Sequence, residues 1–432
     1  MTNTNSSCYS TLWSIVIESI NLRYKIEPKN TIEHNLIRKT MLLLVLIMVP
    51  LLLFVILGAV RPVPSLKATI TYPNQIRSGE VNILWPLQGN AALGSLDEGV
   101  VLASTPTETP KPTASIAKII TALAVVNKKP LSLNGQGPLI TLNQNDVDSY
   151  LYYVNIGGSA VPVTGDTQLS QMQALEAMLL PSANNISDSL AVWAFGSKEA
   201  YVTYANLMIK SWGLRSTVVA DASGLSPLTV STPSDLVKIG QRFLRNPVLK
   251  SVVSKPSAVL PNTGTIYNTN ILLGTDGITG IKTGHTDDAG AGLLFSADYQ
   301  IDPNHTTTII GAVQTIPTVD ESFAATQVLL ASAKKGFGRI VVVKAGDTVG
   351  TYESAWRSKS AIVARKDIVH YGWIYQDIKP IFAVDKTFKQ VSKQGNTGTM
   401  NVTISGKIYS TQLQSAQDIK GPSYWWRLSN IF

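Results

Sequence analysis

Twenty consecutive residues without a charge, "MLLLVLIMVPLLLFVILGAV" at 41–60, constrain this chain more than any other stretch. At about 1.5 Å per residue such a helix reaches about 30 Å, the depth of a bilayer's hydrocarbon core, so the run predicts one transmembrane helix. A cleaved signal peptide has a shorter apolar core of about 7–15 residues, which favours a retained anchor; Gly58 and Ala59 leave processing as the alternative. Pro50 interrupts the run and predicts a kink. Arg23, Lys25, Lys29, Arg38 and Lys39 precede the span, whereas only Arg61 and Lys67 follow it closely. That asymmetry predicts a single-pass cell-membrane protein with a cytoplasmic leader over 1–40 and the remainder outside. Within the leader, "LWSIVIESINL" reads as a short helix.

Beyond the span the chain is long enough for two domains with cores of their own. The net charge of +8 is spread thinly, suiting an anionic envelope or lipid surface or a plain solvated exterior, and nothing clusters as a nucleic-acid site requires. The single cysteine, Cys8, lies in the leader, so the exported part uses neither a disulfide nor a cysteine nucleophile. No His-Glu-x-x-His spacing and no glycine-rich phosphate loop occurs, so no metal or cofactor is expected.

Residues 61–83 hold proline and serine and read as a stalk. "AALGSLDEGVVLAS" (91–104) reads as two short strands around a turn. Helices are expected near 115–128, 169–180, 186–195, 198–212, 233–245 and 320–335, and strands near 138–141, 280–284, 291–297 and 306–313. Strands on both sides of a helical block predict an α+β domain over 84–337, one sheet with helices packed around it. From 338 to 432 the texture turns to short β-type runs broken by Gly, Asn and Asp, an all-β second domain. Its last segment carries Trp425 and Trp426, suited to a membrane interface or to covering the β domain.

"PKPTASIAKIITALAVV" (111–127) places Ser115 and Lys118 three apart at the start of an apolar helix. Ser-x-x-Lys is a cheap pattern, repeated at Ser332 and Lys335, and Pro112, Thr113 and Ser115 also suit a helix start. Two further patterns follow in order: Ser182-Ala-Asn184 in a loop, and Lys282-Thr283-Gly284 on a strand, at separations of 67 and 100 residues. The ordered combination is not cheap; it is the motif set of penicillin-binding proteins and class A β-lactamases.

With these motifs the chain resembles serine-type D-alanyl-D-alanine carboxypeptidases, the low-molecular-mass penicillin-binding proteins. The similarity extends through "IYNTNILLGTDGITGIKTGHTDDAGAGLLFSA" (266–297) and "GLRSTVVADASGLSP" (213–227). It implies a β-lactamase/transpeptidase-like catalytic domain with an antiparallel sheet, peptidoglycan stem peptides as substrate, and β-lactam antibiotics as covalent inhibitors. A serine hydroxyl needs a base, and on a helix positions three apart share a face, which sets the Lys118 amine beside Ser115 Oγ. Burial and a second cation, Lys282, would keep that amine neutral. The Ser115 backbone N–H at a helix start suits an oxyanion, and the resemblance implies the His285 backbone N–H as second donor. It further implies Ser182 in the proton relay to the leaving amine, Asn184 on the substrate amide, and Lys282, Thr283 and Thr286 on the terminal carboxylate, with Gly284 between them.

Rival readings leave fewer traces. A class A β-lactamase needs a glutamate past Ser-x-Asn to activate the deacylating water, and 212–226 contains only Asp221 as an acid. His285, His305 and His370 are too scattered for a histidine triad. One departure from the family stands out: many members carry an arginine before the last helix of the catalytic domain, and this chain has none between Arg245 and Arg339, where Asp320, Glu321 and Ser322 stand instead. That leaves endopeptidase action on crosslinks open beside carboxypeptidase action, and a non-catalytic wall-binding scaffold as a third possibility.

Overall fold

The computed structural model describes residues 31–77, 79 and 81–430; Cys8 and the helix expected in the leader lie outside them. The apolar run belongs to one long helix, α1 (Thr31–Val60), which passes through Pro50 and presents its side chains outward along nearly its whole length.

The chain does not then run as a stalk. Leu66 is buried, and β1 (Lys67–Ile70) pairs antiparallel with a strand near residue 350, while Ile76–Arg77 pairs with Asp377–Ile378. The expectation for 61–83 is corrected accordingly: an edge strand needs only alternate inward residues, and its partner lies far along the sequence.

β2 (Asn90–Ser95) and β3 (Val101–Ser104) form the expected hairpin. Helices follow: α2 (Lys118–Lys128), α3 (Gln144–Asn155), α4 (Gln171–Leu179), α5 (Asn184–Phe195), α6 (Lys198–Ser211), α7 (Pro233–Arg245) and α8 (Pro247–Val253). Their starts have local causes. Ser170 and Gln173 form a capping box at α4, Asn143 and Asp146 one at α3, and Thr232 accepts from the Asp235 N–H ahead of Pro233 at α7. Next come β4 (Ile278–Thr286), β5 (Gly290–Asp302), β6 (His305–Ile316) and α9 (Val319–Lys334), the last opened by a Thr318–Glu321 capping box.

The five strands make one antiparallel sheet in the order β4-β5-β6-β2-β3. Leu294, Ile310 and Ala312 face the helical block, whereas Leu293, Phe295 and Val313 face α9. Covered on both faces, β5 is buried almost continuously at its start, as a central strand must be. The strand expected near 138–141 exists as Leu139–Thr141, but pairs with Gln168–Ser170 in a separate ribbon. Edge strand β4 is left facing the end of the helical block, and that geometry makes the cleft.

The C-terminal unit is all-β. β7 (Thr348–Glu353), β8 (Lys359–Ala364), β9 (Pro380–Val384), β10 (Asn396–Ile404) and β11 (Lys407–Ser415) join β1 in a sheet ordered β1-β7-β8-β11-β10-β9. A short helix, α10 (Tyr424–Ser429), ends the described chain. Trp426 meets Trp356 edge-on and Arg427 donates to the Ala59 carbonyl at the end of α1 (3.1 Å), while Trp425 is 77% exposed. The guanidinium thus satisfies a carbonyl that the last turn of α1 leaves without an intrahelical partner.

Candidate active site

Ser115 does not cap α2. It lies half-buried in a 3₁₀ turn, Ala114–Ala117, immediately before that helix, and neither the turn nor the helix has a side-chain cap. Instead its hydroxyl meets Lys118 Nζ at 2.7 Å. The same Nζ donates to Asn184 Oδ1 (2.6 Å) and to the Ser223 carbonyl (2.9 Å). Two glycines allow the surroundings to close on this turn. A Cβ on Gly224, at φ +78°, would lie 1.9 Å from the Ala114 carbonyl oxygen, and one on Gly284 would lie 2.9 Å from that of Thr113.

Ser182 holds a left-handed backbone (φ +68°), is buried, and its Oγ has no hydrogen-bond partner among the described residues. The turn it makes ends α4's neighbourhood and starts α5 at Asn184, whose N–H donates to the Ser159 carbonyl (2.8 Å). Asn184 therefore begins a helix and touches the lysine at once.

The third motif lies on edge strand β4, paired through Lys282 with Leu294 and through Gly284 with Gly292. Lys282 is buried, and its Nζ reaches Thr283 Oγ1 at 3.4 Å. Thr283 Oγ1 in turn meets Thr269 Oγ1 at 2.7 Å. Thr286 Oγ1 accepts from the Ala289 N–H (3.2 Å), closing the turn after the strand, and the His285 side chain is exposed.

A cleft of about 540 Å³ unites Ser115, Ser182, Asn184, Thr283, His285 and Thr286. Lys118 and Lys282, buried and in contact with Ser115 and Thr283 of this lining, have no carboxylate in ion-pair range among the described residues. Burial, and then the charge of Lys282, hold the Lys118 amine well below the ordinary lysine range, and burial pulls Lys282 down to about 7. An amine so lowered, 2.7 Å from a hydroxyl, has the geometry a proton acceptor needs.

Sequence reasoning missed part of the wall. Gly157, Gly158 and Ser159, after α3, line one side, and Val319 at the start of α9 lines another beside Ser322, already singled out in the sequence as standing where no arginine does. The Ser223 carbonyl on Lys118 is a backbone contact that no residue type announces.

An antiparallel sheet whose edge strand overhangs a serine and a buried lysine is the arrangement of a serine-type hydrolase. The family model for D-alanyl-D-alanine carboxypeptidases, peptidase family S11, matches residues 89–312. A D-alanyl-D-alanine endopeptidase from Pseudomonas aeruginosa is 30% identical over 221 residues, 48% of this chain and 68% of that protein. D-alanyl-D-alanine carboxypeptidase DacA from Escherichia coli is 25% identical over 322 residues, 72% of this chain and 78% of that protein. In fold, penicillin binding protein 5 from Haemophilus influenzae superposes with a TM-score of 0.56 at 20% identity, covering 80% of this chain and all of that one. The chain belongs to the D-alanyl-D-alanine carboxypeptidase family.

Proposed function

We propose that the chain removes the terminal D-alanine from peptidoglycan stem pentapeptides through an acyl-enzyme on Ser115, and that β-lactams trap that state. The observation that carries this reading is the 2.7 Å contact between Ser115 Oγ and a buried lysine amine held below its ordinary range. Neutral Lys118 takes the Ser115 proton as Oγ bonds to the carbonyl carbon of the penultimate D-alanine. Backbone N–H groups of Ser115 and His285, both on the cleft, hold the oxyanion. When the C–N bond breaks, the proton passes to the leaving amine through Ser182, whose unpartnered hydroxyl suits a relay. Water then cleaves the ester, its proton returning through Lys118 to Ser115. Asn184 holds the substrate amide; Lys282, Thr283 and Thr286 take the terminal carboxylate, across Gly284.

Endopeptidase action on crosslinks is the second reading, favoured by Val319 and Ser322 on the wall where many relatives carry an arginine. A free carboxylate then finds Lys282 as its main cation, and a longer peptide beyond the scissile bond meets a neutral wall. In either reading residues 84–337 carry the chemistry. The helix α1 anchors the chain in the cytoplasmic membrane, with the N-terminus inside and the cleft outside.

The test uses the full chain in detergent micelles with monomeric pentapeptide and crosslinked muropeptides, products followed by mass spectrometry beside Ser115→Ala. Loss of one alanine from the monomer, absent in the variant, is the expected result. Cleavage of crosslinked species alone makes the enzyme an endopeptidase, and no turnover of either leaves the wall-binding scaffold.

A further inference from the structure

Behind Lys118, the loop 220–229, whose Gly224 and Leu225 reach the cleft, is organised around one carboxylate that belongs to none of the three motifs. Asp221 Oδ2 accepts from Ser223 Oγ (2.7 Å), Leu225 N–H (2.9 Å) and Ser223 N–H (3.3 Å), and Oδ1 accepts from Thr229 Oγ1 (2.5 Å). Thr229 Oγ1 in turn accepts from the N–H groups of Ala220 (3.0 Å) and Asp221 (3.2 Å). The loop so folded is fastened to the nucleophile's own turn: the Thr113 N–H donates to the Thr229 carbonyl (3.0 Å), Thr121 Oγ1 donates to that of Ala222 (2.7 Å), and Gly224 closes on Ala114. Its product is the Ser223 carbonyl set 2.9 Å from Lys118 Nζ.

We propose that Asp221 is a positioning residue for the Ser115–Lys118 pair: its carboxylate folds 220–229 so that the Ser223 carbonyl holds the amine beside Ser115, and it places negative charge behind that amine. This rests on the reading of Ser115 and Lys118 given above. The charges around the amine are then arranged front to back. Lys282 on β4 stands on one side and lowers its proton affinity, while Asp221 on the loop and Asp188 on α5 raise it. Asp188 is itself held by Tyr153 of α3 (3.1 Å) and Lys198 of α6 (3.4 Å). Glu199 of α6 shares the rear cleft with Asp188 and Asp221, and buried Tyr201 of the same helix bonds Thr121 Oγ1 (2.7 Å). A base must be neutral at working pH and still basic enough to take a serine proton. The rear carboxylates set that compromise by opposing Lys282 and burial.

The experiment measures acylation of the full chain by a fluorescent penicillin across pH 5–9 for wild type, Asp221→Asn and Thr229→Val. Removing the charge favours the neutral amine, so in Asp221→Asn the acid limb of the rate profile moves down by about one pH unit, and the plateau falls by about tenfold as the base weakens and the loop loosens. Thr229→Val keeps the carboxylate and loses the three hydrogen bonds of Thr229 Oγ1, so its rate falls severalfold with the midpoint unmoved. A purely structural role lowers the rate of both variants with no shift in either. An Asp221→Asn profile that superposes on wild type overturns the proposal, as does a Thr229→Val midpoint that moves as far as that of Asp221→Asn. If Asp221→Asn does not fold, Thr229→Val decides: an unchanged rate overturns the positioning role. Wild type that takes no penicillin at all removes the reading of Ser115, and this inference with it.

Discussion

Two of the places where the molecule buries ionisable side chains treat them oppositely. Beside the cleft Lys118 and Lys282 lie in the interior as two amines of the same kind, without an ion pair within reach among the described residues. At the junction with the C-terminal unit, Glu98 from the β2–β3 turn is also buried but is met by several donors. The Trp373 N–H donates to Oε1 (2.5 Å), Ser405 Oγ to Oε2, and His370 Nε2 lies 3.4 Å away, while Lys407 Nζ donates to the neighbouring Asp97 carbonyl (2.6 Å). Burial alone would raise the Glu98 carboxyl, yet these donors hold it below the ordinary value. Burial met by donors fixes how two units sit together; burial without a counter-charge, at Lys118, stores reactivity at the expense of stability.

The sharpest way to break the comparison is to remove the reactive charge. Lys118→Met keeps the bulk and deletes the base, so penicillin acylation falls by about 10²–10⁴-fold while the thermal midpoint does not drop. Stopped-flow acylation and calorimetry on the same sample check both halves; a variant that unfolds would assign Lys118 to the scaffold.

Lys282→Met tests the same imbalance through pH. The unfolded chain keeps this proton up to about 10.5 and the folded chain only up to about 7, so unfolding takes up a proton between those values and wild-type stability rises with pH across that window. The variant loses that slope. It is more stable than wild type by an amount on the order of a few kcal/mol at pH 6, and the gap closes toward pH 10. Denaturant titrations at three pH values read it; parallel curves would contradict the assignment of an unbalanced buried cation.

At the junction the opposite holds. Glu98→Gln costs about 1–3 kcal/mol of stability and leaves the acylation rate unaltered, because the group lies outside the cleft. Since the folded carboxyl titrates below its ordinary value of 4.5, the contribution is full above that pH and fades as the pH falls through the folded value, so the penalty is constant from pH 5 to 8 and shrinks in acid.

The contrast also explains what could be read from the chain. Ser115, Lys118, Ser182, Asn184 and Lys282–Gly284 were legible from the spacing of three motifs, and His285 and Thr286 from the family resemblance; one cleft is lined by Ser115, Ser182, Asn184 and Thr283–Thr286, with Lys118 bonded to Ser115 and Asn184. The α+β order of helices and strands followed from apolar periodicity at α4, α6 and α7. Helix α3 escaped because only Tyr153 on it is buried; its one local signal was the Asn143–Asp146 capping box. Strand β1 escaped because its partner Thr348–Glu353 lies far along the chain, and a four-residue edge strand has almost no pattern of its own. The left-handed turn at Ser182 and the Ser223 carbonyl are backbone facts, which side-chain identity does not encode. Nor does sequence distinguish a buried lysine from a surface one, and the proposed role of Lys118 as base rests on that distinction.

One measurement tests the central claim most directly: intact-protein mass spectrometry of the full chain after brief exposure to benzylpenicillin, followed by peptide mapping of the adduct. The account predicts a single added penicilloyl group, carried by the peptide containing Ser115 and absent from Ser115→Ala. An unmodified protein, or an adduct that persists in Ser115→Ala, would contradict it.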